Sequence, residues 1–414
     1  MTDGPVVVVG GGLVGLSCAW FLQEAGAQVT VIESGALPGG GASRGNAGAI
    51  CPSMVDPLPA PGMLREALVN VGRADAALYV HPAYAPRMAR FLRRFASAAT
   101  AEAYERGLRA LDQLARGVTA AYEAMADAGI GGHAWRGGYL FVHADPEAAA
   151  HDRAAVARAA SFGLCEQPGE VLGGSELRAE EPLLGADAVA GFVAPGERWI
   201  DPSRFVDDLA AALAGRGVPI RTGAPVRAIA AFDDGVEVET KYGRIDAAIA
   251  VVAAGVWTKD LVAPLGARLE MRPGKGYSFA VRPVVNARRS LHLSTAHVMA
   301  SPMGERLRIA GTMEFDGTTD RFNPKRIDAI VRATQPFLDV DLSARGEEWA
   351  GPRPMTPDGL PYLGRIPGHE RVVVAAGHNM LGLTLAPVTG RVVAGLVTAD
   401  DPGIDLTPFA IDRR

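Results

Sequence analysis

The residues with the clearest chemical meaning lie near the N-terminus. Gly10-Gly11-Gly12-Leu13-Val14-Gly15 has the spacing G-x-G-x-x-G, and an acid, Glu33, follows at about twenty residues. Such a turn binds a pyrophosphate. Gly10 permits the tight bend, Gly12 lets backbone approach the phosphates, and Gly15 lets helix pack on strand. Glu33 stands where a carboxylate accepts from a ribose diol. A 2′-phosphate would want an arginine there, so Glu33 argues against NADP and leaves NAD or FAD. The next stretch favours the longer cofactor. Six more glycines (35, 39, 40, 41, 45 and 48) with Ser34, Ser43 and Asn46 supply a second backbone-rich cradle, the alternative being a flexible surface loop.

The elements that must position these residues are legible around them. Val6 to Val9 is an unbroken β-branched run, as a strand buried on both faces requires. A helix runs from Leu13 to near Gly26, and a second strand, Gln28 to Ile32, delivers Glu33. Farther on, helical spacing covers 101–129, 146–162 and 203–215. Strands are expected at 135–142, 218–222, 224–229, 236–240 and 249–255. The last ends Ala253-Ala254-Gly255, small enough for a flat cofactor to pass its carboxyl end. Hairpin strands follow at 277–282, 297–303 and 307–313. The proline-rich run Trp349 to Pro361 reads as rigid and irregular. A final strand, 372–376, leads into the loop Gly377 to Thr384, and a helix is expected from about Leu385 to Val397. That helix's N-terminus would favour negative charge on a reduced flavin.

Composition bounds the rest. The chain has 414 residues, 48% hydrophobic, with a formal net charge of −5, which leaves no nucleic-acid footprint on the chain as a whole. No apolar run reaches the ~18 residues of a membrane span, and the N-terminus has no signal-peptide pattern. Cys18, Cys51 and Cys165 form no pair motif and read as buried thiols of a reducing compartment. No metal-ligand pattern is expected. The cytoplasm is the expected location. The basic amphipathic stretch Pro86 to Phe95, with Arg87, Arg90 and Arg94, adds a second reading of peripheral contact with the inner membrane face. The alternative is an ordinary packed helix with a solvated basic face.

The expected fold is α/β, in part α+β: a discontinuous Rossmann-like FAD-binding domain (1–85, 198–265 and 346–414) with an inserted antiparallel-sheet substrate domain (86–197 and 266–345). With VVVVGGGLVGL, VIES, ASRGNAGAICPS, PGKGYSF, VVAAGVWT, GPRPMTPDGLPYLGR and AAGHNMLGLTLAP on the page, the chain resembles the FAD-dependent D-amino-acid oxidase/dehydrogenase family. It is similar to bacterial D-amino-acid dehydrogenases, the hydroxy-D-proline type included, and to glycine oxidases. The resemblance runs end to end.

It implies non-covalent FAD, because Arg44-Gly45 replaces the histidine, and no C-terminal cysteine replaces the other attachment point, of covalent members. It also implies roles. Leu13 and Val14 would face the pyrophosphate, Glu33 and Ser34 the adenosine, and Val226 the adenine. Ala42, Ser43, Asn46, Ala47 and Gly48 would follow the ribityl chain and flavin. His378, Leu381, Gly382, Leu383 and Thr384, after Gly377, would line the ring. Arg353 would be the catalytic residue, clamping the substrate carboxylate with a fork that matches it bidentately. His297 is a further substrate contact, or else a satisfied structural histidine. Met380 and Val298 stand where glycine oxidases carry an arginine and a tyrosine, which argues for a larger or more apolar amino acid than glycine.

The implied reaction is oxidation of a D-amino acid by hydride transfer from Cα to flavin N5. The imino acid then hydrolyses to a 2-oxo acid and ammonia. Alternatives within the class are D-proline or hydroxy-D-proline dehydrogenation, and oxidation of glycine or secondary amines by oxygen. Outside it stand an NAD-linked hydroxy-acid dehydrogenase, one subunit of a multi-chain dehydrogenase, and a flavin-binding scaffold without activity. The electron acceptor (quinone, electron-transfer partner or oxygen) and the state of assembly, homo- or hetero-oligomeric, stay open.

Overall fold

The computed structural model describes residues 4–63, 76–132 and 134–413. Its first sheet runs, edge to edge, Ile220–Arg221, Val29–Ile32, Val6–Val9, Ile249–Val252, His369–Ala376 and Tyr362–Ile366. All neighbours are parallel except the last pair. The strands are apolar on both faces because helices cover one side and a three-stranded antiparallel sheet, Val226–Ala231, Val236–Thr240 and Gly243–Ala247, covers the other. The helix Leu13–Glu24 and the long C-terminal helix Gly382–Thr398 pack together on the first side, with Trp20, Leu22, Leu385 and Val393 at 2% exposure or less.

The second sheet is large and mainly antiparallel, ordered Gly346–Met355, Arg272–Val281, Arg306–Phe315, Val298–Met303, Ser290–Leu293, Tyr139–His143, Ala190–Ala194 and Leu172–Gly173. Leu78–Val80 adds to Arg306–Phe315. The sheet is not purely antiparallel as expected: that junction and the one between Ser290–Leu293 and Tyr139–His143 are parallel.

Three local expectations change. The proline-rich run is a strand over Gly346–Met355, paired with Arg272–Val281 in register from Met355↔Arg272 to Trp349↔Ser278, with an irregularity beyond Trp349. Pro352 and Pro354 are tolerated because this is the sheet's edge, where a missing N–H leaves no partner unsatisfied. The stretch 101–129 is two helices, Ala101–Ala115 and Val118–Asp127, broken at Gly117, where a side chain would meet Val388. The C-terminal helix begins at Gly382, so Leu383 and Thr384 lie in its first turn. Packing also crosses the domain limits expected from sequence. Leu111, Leu114, Tyr122 and Met125 join the core beside the first sheet, whereas Gly346–Met355 belongs to the second.

The basic stretch forms a short 3-10 turn and the helix Ala89–Ala98. Met88, Phe91 and Phe95 are buried against Met313, Phe315 and Met355. Arg90 pairs with Glu270 at 2.9 Å. Three of its apolar residues are therefore committed to the core, while Leu92 is 40% exposed. Among the described residues no helix is long and apolar enough to cross a membrane.

Candidate active site

A cleft of ≈ 880 Å³ runs from the glycine turn, along the carboxyl ends of the parallel strands, to the edge of the second sheet. Its start is built by the turn itself. A Cβ on Gly15 would stand 1.9 Å from the Gly10 carbonyl oxygen, so helix and strand close only on glycine. The helix that follows has no side-chain cap from its N-cap residue, Gly12. Its first N–H groups are thus available to an anion, except that Leu13 N donates to Ser43 Oγ at 3.2 Å. Glu33 accepts from the turn as well, Oε2 from Gly11 N at 2.7 Å and Oε1 from Gly35 N at 2.6 Å. Oε1 also accepts from Ser34 Oγ at 3.2 Å, so Oε2 is the oxygen that keeps acceptor capacity for a further donor.

The far end is built by the second sheet and the C-terminal loop. Arg353 lies on the cleft wall between Pro352 and Pro354. It makes one hydrogen bond to the described residues, from Nη1 to Thr312 O at 2.8 Å, and none of their carboxylates pairs with it. Burial alone pulls its guanidinium down to about 10, and it stays charged at neutral pH. A cation held this way is arranged for an anion the protein does not itself supply. Asn379, at φ 53°, stitches the loop to this strand. Its N donates to Pro354 O at 3.2 Å and its Oδ1 accepts from Thr356 N at 2.8 Å.

Of the residues expected to hold the cofactor, Gly10, Gly12, Leu13, Val14, Glu33, Ser34, Ala42, Ser43, Asn46, Val226, Gly255, Gly377, His378, Gly382 and Leu383 line this one cleft, with Arg353. Others stand behind it. Gly15 packs on Gly10. Leu381 starts the C-terminal helix, its N–H donating to His378 O. Gly48 O accepts from Ile200 N at 2.9 Å, carrying Ala47 and Gly48 toward the Arg198–Trp199 strand. Thr384 Oγ1 donates to Ala49 O at 3.2 Å and accepts from Cys51 N. The His378 ring is buried and bonded to Thr389 Oγ1 at 3.0 Å. Burial holds it down at about 4, so it is neutral. His297 is not brought to the cleft wall. It is exposed, in a left-handed turn (φ 51°) before Val298–Met303 rather than on the strand. Val298 is buried in the second core, and Met380 stands 46% exposed at the cleft mouth.

Sequence reasoning missed several wall and supporting residues. Trp257 lines the cleft beside Gly41. Trp349 lies so close over Gly45 and Gly351 that neither position admits a side chain, and Ser278 Oγ donates to Gly45 O at 2.8 Å. These contacts fasten the second glycine loop to the strand that carries Arg353. The signal was available only as glycines on two separated segments, 41–45 and 351.

The residues fit FAD. Two helix N-termini without side-chain caps, at Gly12 and Leu381, bound the same cleft with a glycine cradle between them. Such a parallel sheet, opening with its strand ends and helix N-termini onto a second sheet that carries Arg353, defines a dinucleotide-dependent oxidoreductase. The comparisons with known proteins agree. The family model described as FAD dependent oxidoreductase matches residues 5–396, and the chain belongs to that family. It is therefore an FAD-dependent enzyme. The chain is 35% identical to a D-amino acid dehydrogenase of Paramagnetospirillum magneticum, covering 99% of this chain and 98% of that one. It is 32% identical to D-amino acid dehydrogenase 2 of Ralstonia nicotianae, covering 99% and 100%. Among solved structures it is similar to glycine oxidase from Geobacillus kaustophilus, with TM-score 0.74, 25% identity and full coverage of both chains.

Proposed function

We propose that this protein oxidatively deaminates a D-amino acid, yielding an imino acid that water converts to a 2-oxo acid and ammonia. The observation that carries the reading is Arg353, a half-buried guanidinium on the cleft wall with no carboxylate partner among the described residues. The relatives named for D-amino acid dehydrogenation, similar over nearly the whole chain, support it.

FAD, when bound, supplies the acceptor for the two electrons and the hydrogen that leave Cα. The turn Gly10 to Gly15, with Leu13 and Val14, would hold its pyrophosphate. Glu33 and Ser34 would hold the ribose and Val226 the adenine, while 42–48 and 377–384 would hold the ribityl–flavin end. Arg353 binds the substrate carboxylate and so orients the Cα–H bond, which is catalysis by positioning. The amine must be neutral for its lone pair to form the C=N bond as Cα–H breaks. The neutral, internally bonded His378 adds no positive charge to the cleft. We read the two sheets as cofactor-binding and substrate-binding units, with Arg353 on the edge strand of the second, where it meets the cleft. The acceptor that reoxidises the cofactor is proposed to be a quinone or electron-transfer partner, in keeping with the dehydrogenase relatives. Peroxide formation in air would point instead to oxygen.

The test is steady-state turnover of D-amino acids with an artificial electron acceptor, comparing the parent with Arg353→Ala. Charged hydrogen bonds contribute roughly 1.5–3 kcal/mol, so kcat/KM should fall at least about tenfold to a hundredfold. An alanine variant with intact flavin and unchanged efficiency would end the clamp.

A further inference from the structure

The strand Arg306–Phe315 changes partner halfway along. Up to Gly311 it pairs with Val298–Met303, and from Met313 with Leu78–Val80. On its other edge the register against Arg272–Val281 slips between Lys275 and Tyr277, so that Gly276 faces both Thr312 and Met313, a β-bulge. Thr312 stands at this change with φ 56°. The left-handed region is rare for a β-branched side chain, and such a conformation persists only where its surroundings hold it. Its Oγ1 is buried with no partner among the described residues. Its carbonyl accepts the one hydrogen bond that Arg353 makes to them, from Nη1 at 2.8 Å.

The same place is emptied from the other side. A Cβ on Gly276 would lie 2.1 Å from Cζ of Arg353, so the guanidinium occupies the space that a side chain at 276 would fill. The fork is thus seated on a bare backbone and tethered at one nitrogen. Nε and Nη2 keep no partner among the described residues and form an edge that matches a carboxylate.

We propose that Thr312 is a positioning residue of the substrate clamp: its strained backbone turns the carbonyl onto Nη1 and fixes which edge of Arg353 meets the substrate. A bulge at this residue aims a carbonyl that a regular ladder would have spent on the neighbouring strand. This rests on the reading of Arg353 as the carboxylate clamp.

The test is calorimetric titration of the FAD-loaded enzyme with benzoate, a carboxylate with no amine to oxidise, on four forms: parent, Thr312→Gly, Arg353→Lys and the double variant. Glycine adopts both signs of φ, so Thr312→Gly folds without strain but no longer fixes the carbonyl. Its melting temperature should be kept or raised while the benzoate Kd rises about three- to tenfold. On the Arg353→Lys background the same change should add less than about twofold, because it acts through the guanidinium. Thr312→Asn, which tolerates the left-handed region, should restore the parent Kd within about twofold. Unchanged benzoate binding in Thr312→Gly, or an equal loss on both backgrounds, overturns the proposal. Unchanged binding in Arg353→Lys would instead bring down the clamp reading itself, and the positioning role with it.

Discussion

Arg353 lines the cleft half-buried while His378 and Glu197 are buried, and the three side chains respond differently to pH. Arg353 stays charged, and its cost of burial is met when an anionic ligand arrives; Arg353→Lys keeps the charge but loses the planar fork. Its KM for a D-amino acid should rise more than its kcat falls, as a kcat-against-KM comparison would show. His378 is neutral because burial lowers it to about 4, from near 6.5 in an unfolded chain. Its contribution is therefore present above pH 6.5 and lost as pH falls toward 4, ~3 kcal/mol across that window. His378→Gln, able to keep a bond to Thr389, should flatten the acid side of a Tm-against-pH curve there. An unchanged slope would mean that other groups set it.

Glu197 has the opposite sign. Its Oε1 accepts from Ser53 N at 3.1 Å while Oε2 is buried without a partner among the described residues, and burial raises the carboxyl to about 7. The folded state prefers the protonated form, so stability is fully present below about 4.5 and declines as pH rises toward 7. Glu197→Gln should be more stable than the parent at pH 8, and chemical denaturation at pH 5 and pH 8 would read the difference.

At the scale of elements, the structure depends on contacts that need bare backbone. Gly15→Ala places a methyl on the Gly10 carbonyl and must open the first turn; it should express with little bound flavin and a Tm lower by several degrees. Trp349 fastens the second glycine loop to the strand of Arg353. Trp349→Leu should weaken FAD retention and benzoate binding together, measured by flavin release on dilution and by titration. A variant that loses one and keeps the other would show that the two ends of the cleft are independent.

The elements also show what could be read beforehand. The strand–turn–helix–strand unit ending at Glu33 was legible because glycine spacing and β-branched runs are local signals. The strand Gly346–Met355 was not, since prolines argue against pairing unless the strand is known to lie at an edge, which is a fact of tertiary topology. The break at Gly117 depends on Val388, far along the chain, and the bulge at Thr312 on two neighbouring strands. Neither has a signature within its own segment. His297 was expected on a strand because hydrophobic alternation begins there, but its φ of 51° makes it the turn that precedes one.

The molecule as a whole is a cleft between two sheets with different duties. The parallel sheet presents strand ends and helix N-termini, which suit a long anionic cofactor, while the second sheet brings Pro352, Arg353 and Pro354 to the cleft among the described residues. Fifteen of the twenty residues expected to touch the cofactor lie on that cleft, because a dinucleotide site is assembled from motifs contiguous in sequence. The substrate end is assembled from single residues on separate strands, which is why Thr312, Gly276 and Trp349 escaped notice.

The central claim is that this cleft holds FAD and oxidises D-amino acids. An anaerobic visible spectrum of the purified protein, titrated in turn with D-, L- and N-methyl amino acids and with hydroxy-D-proline, tests it directly. The account predicts a flavin band that bleaches with D-amino acids and not with their L-enantiomers. A flavin band that no amine reduces, or one bleached only by L-amino acids, would contradict it.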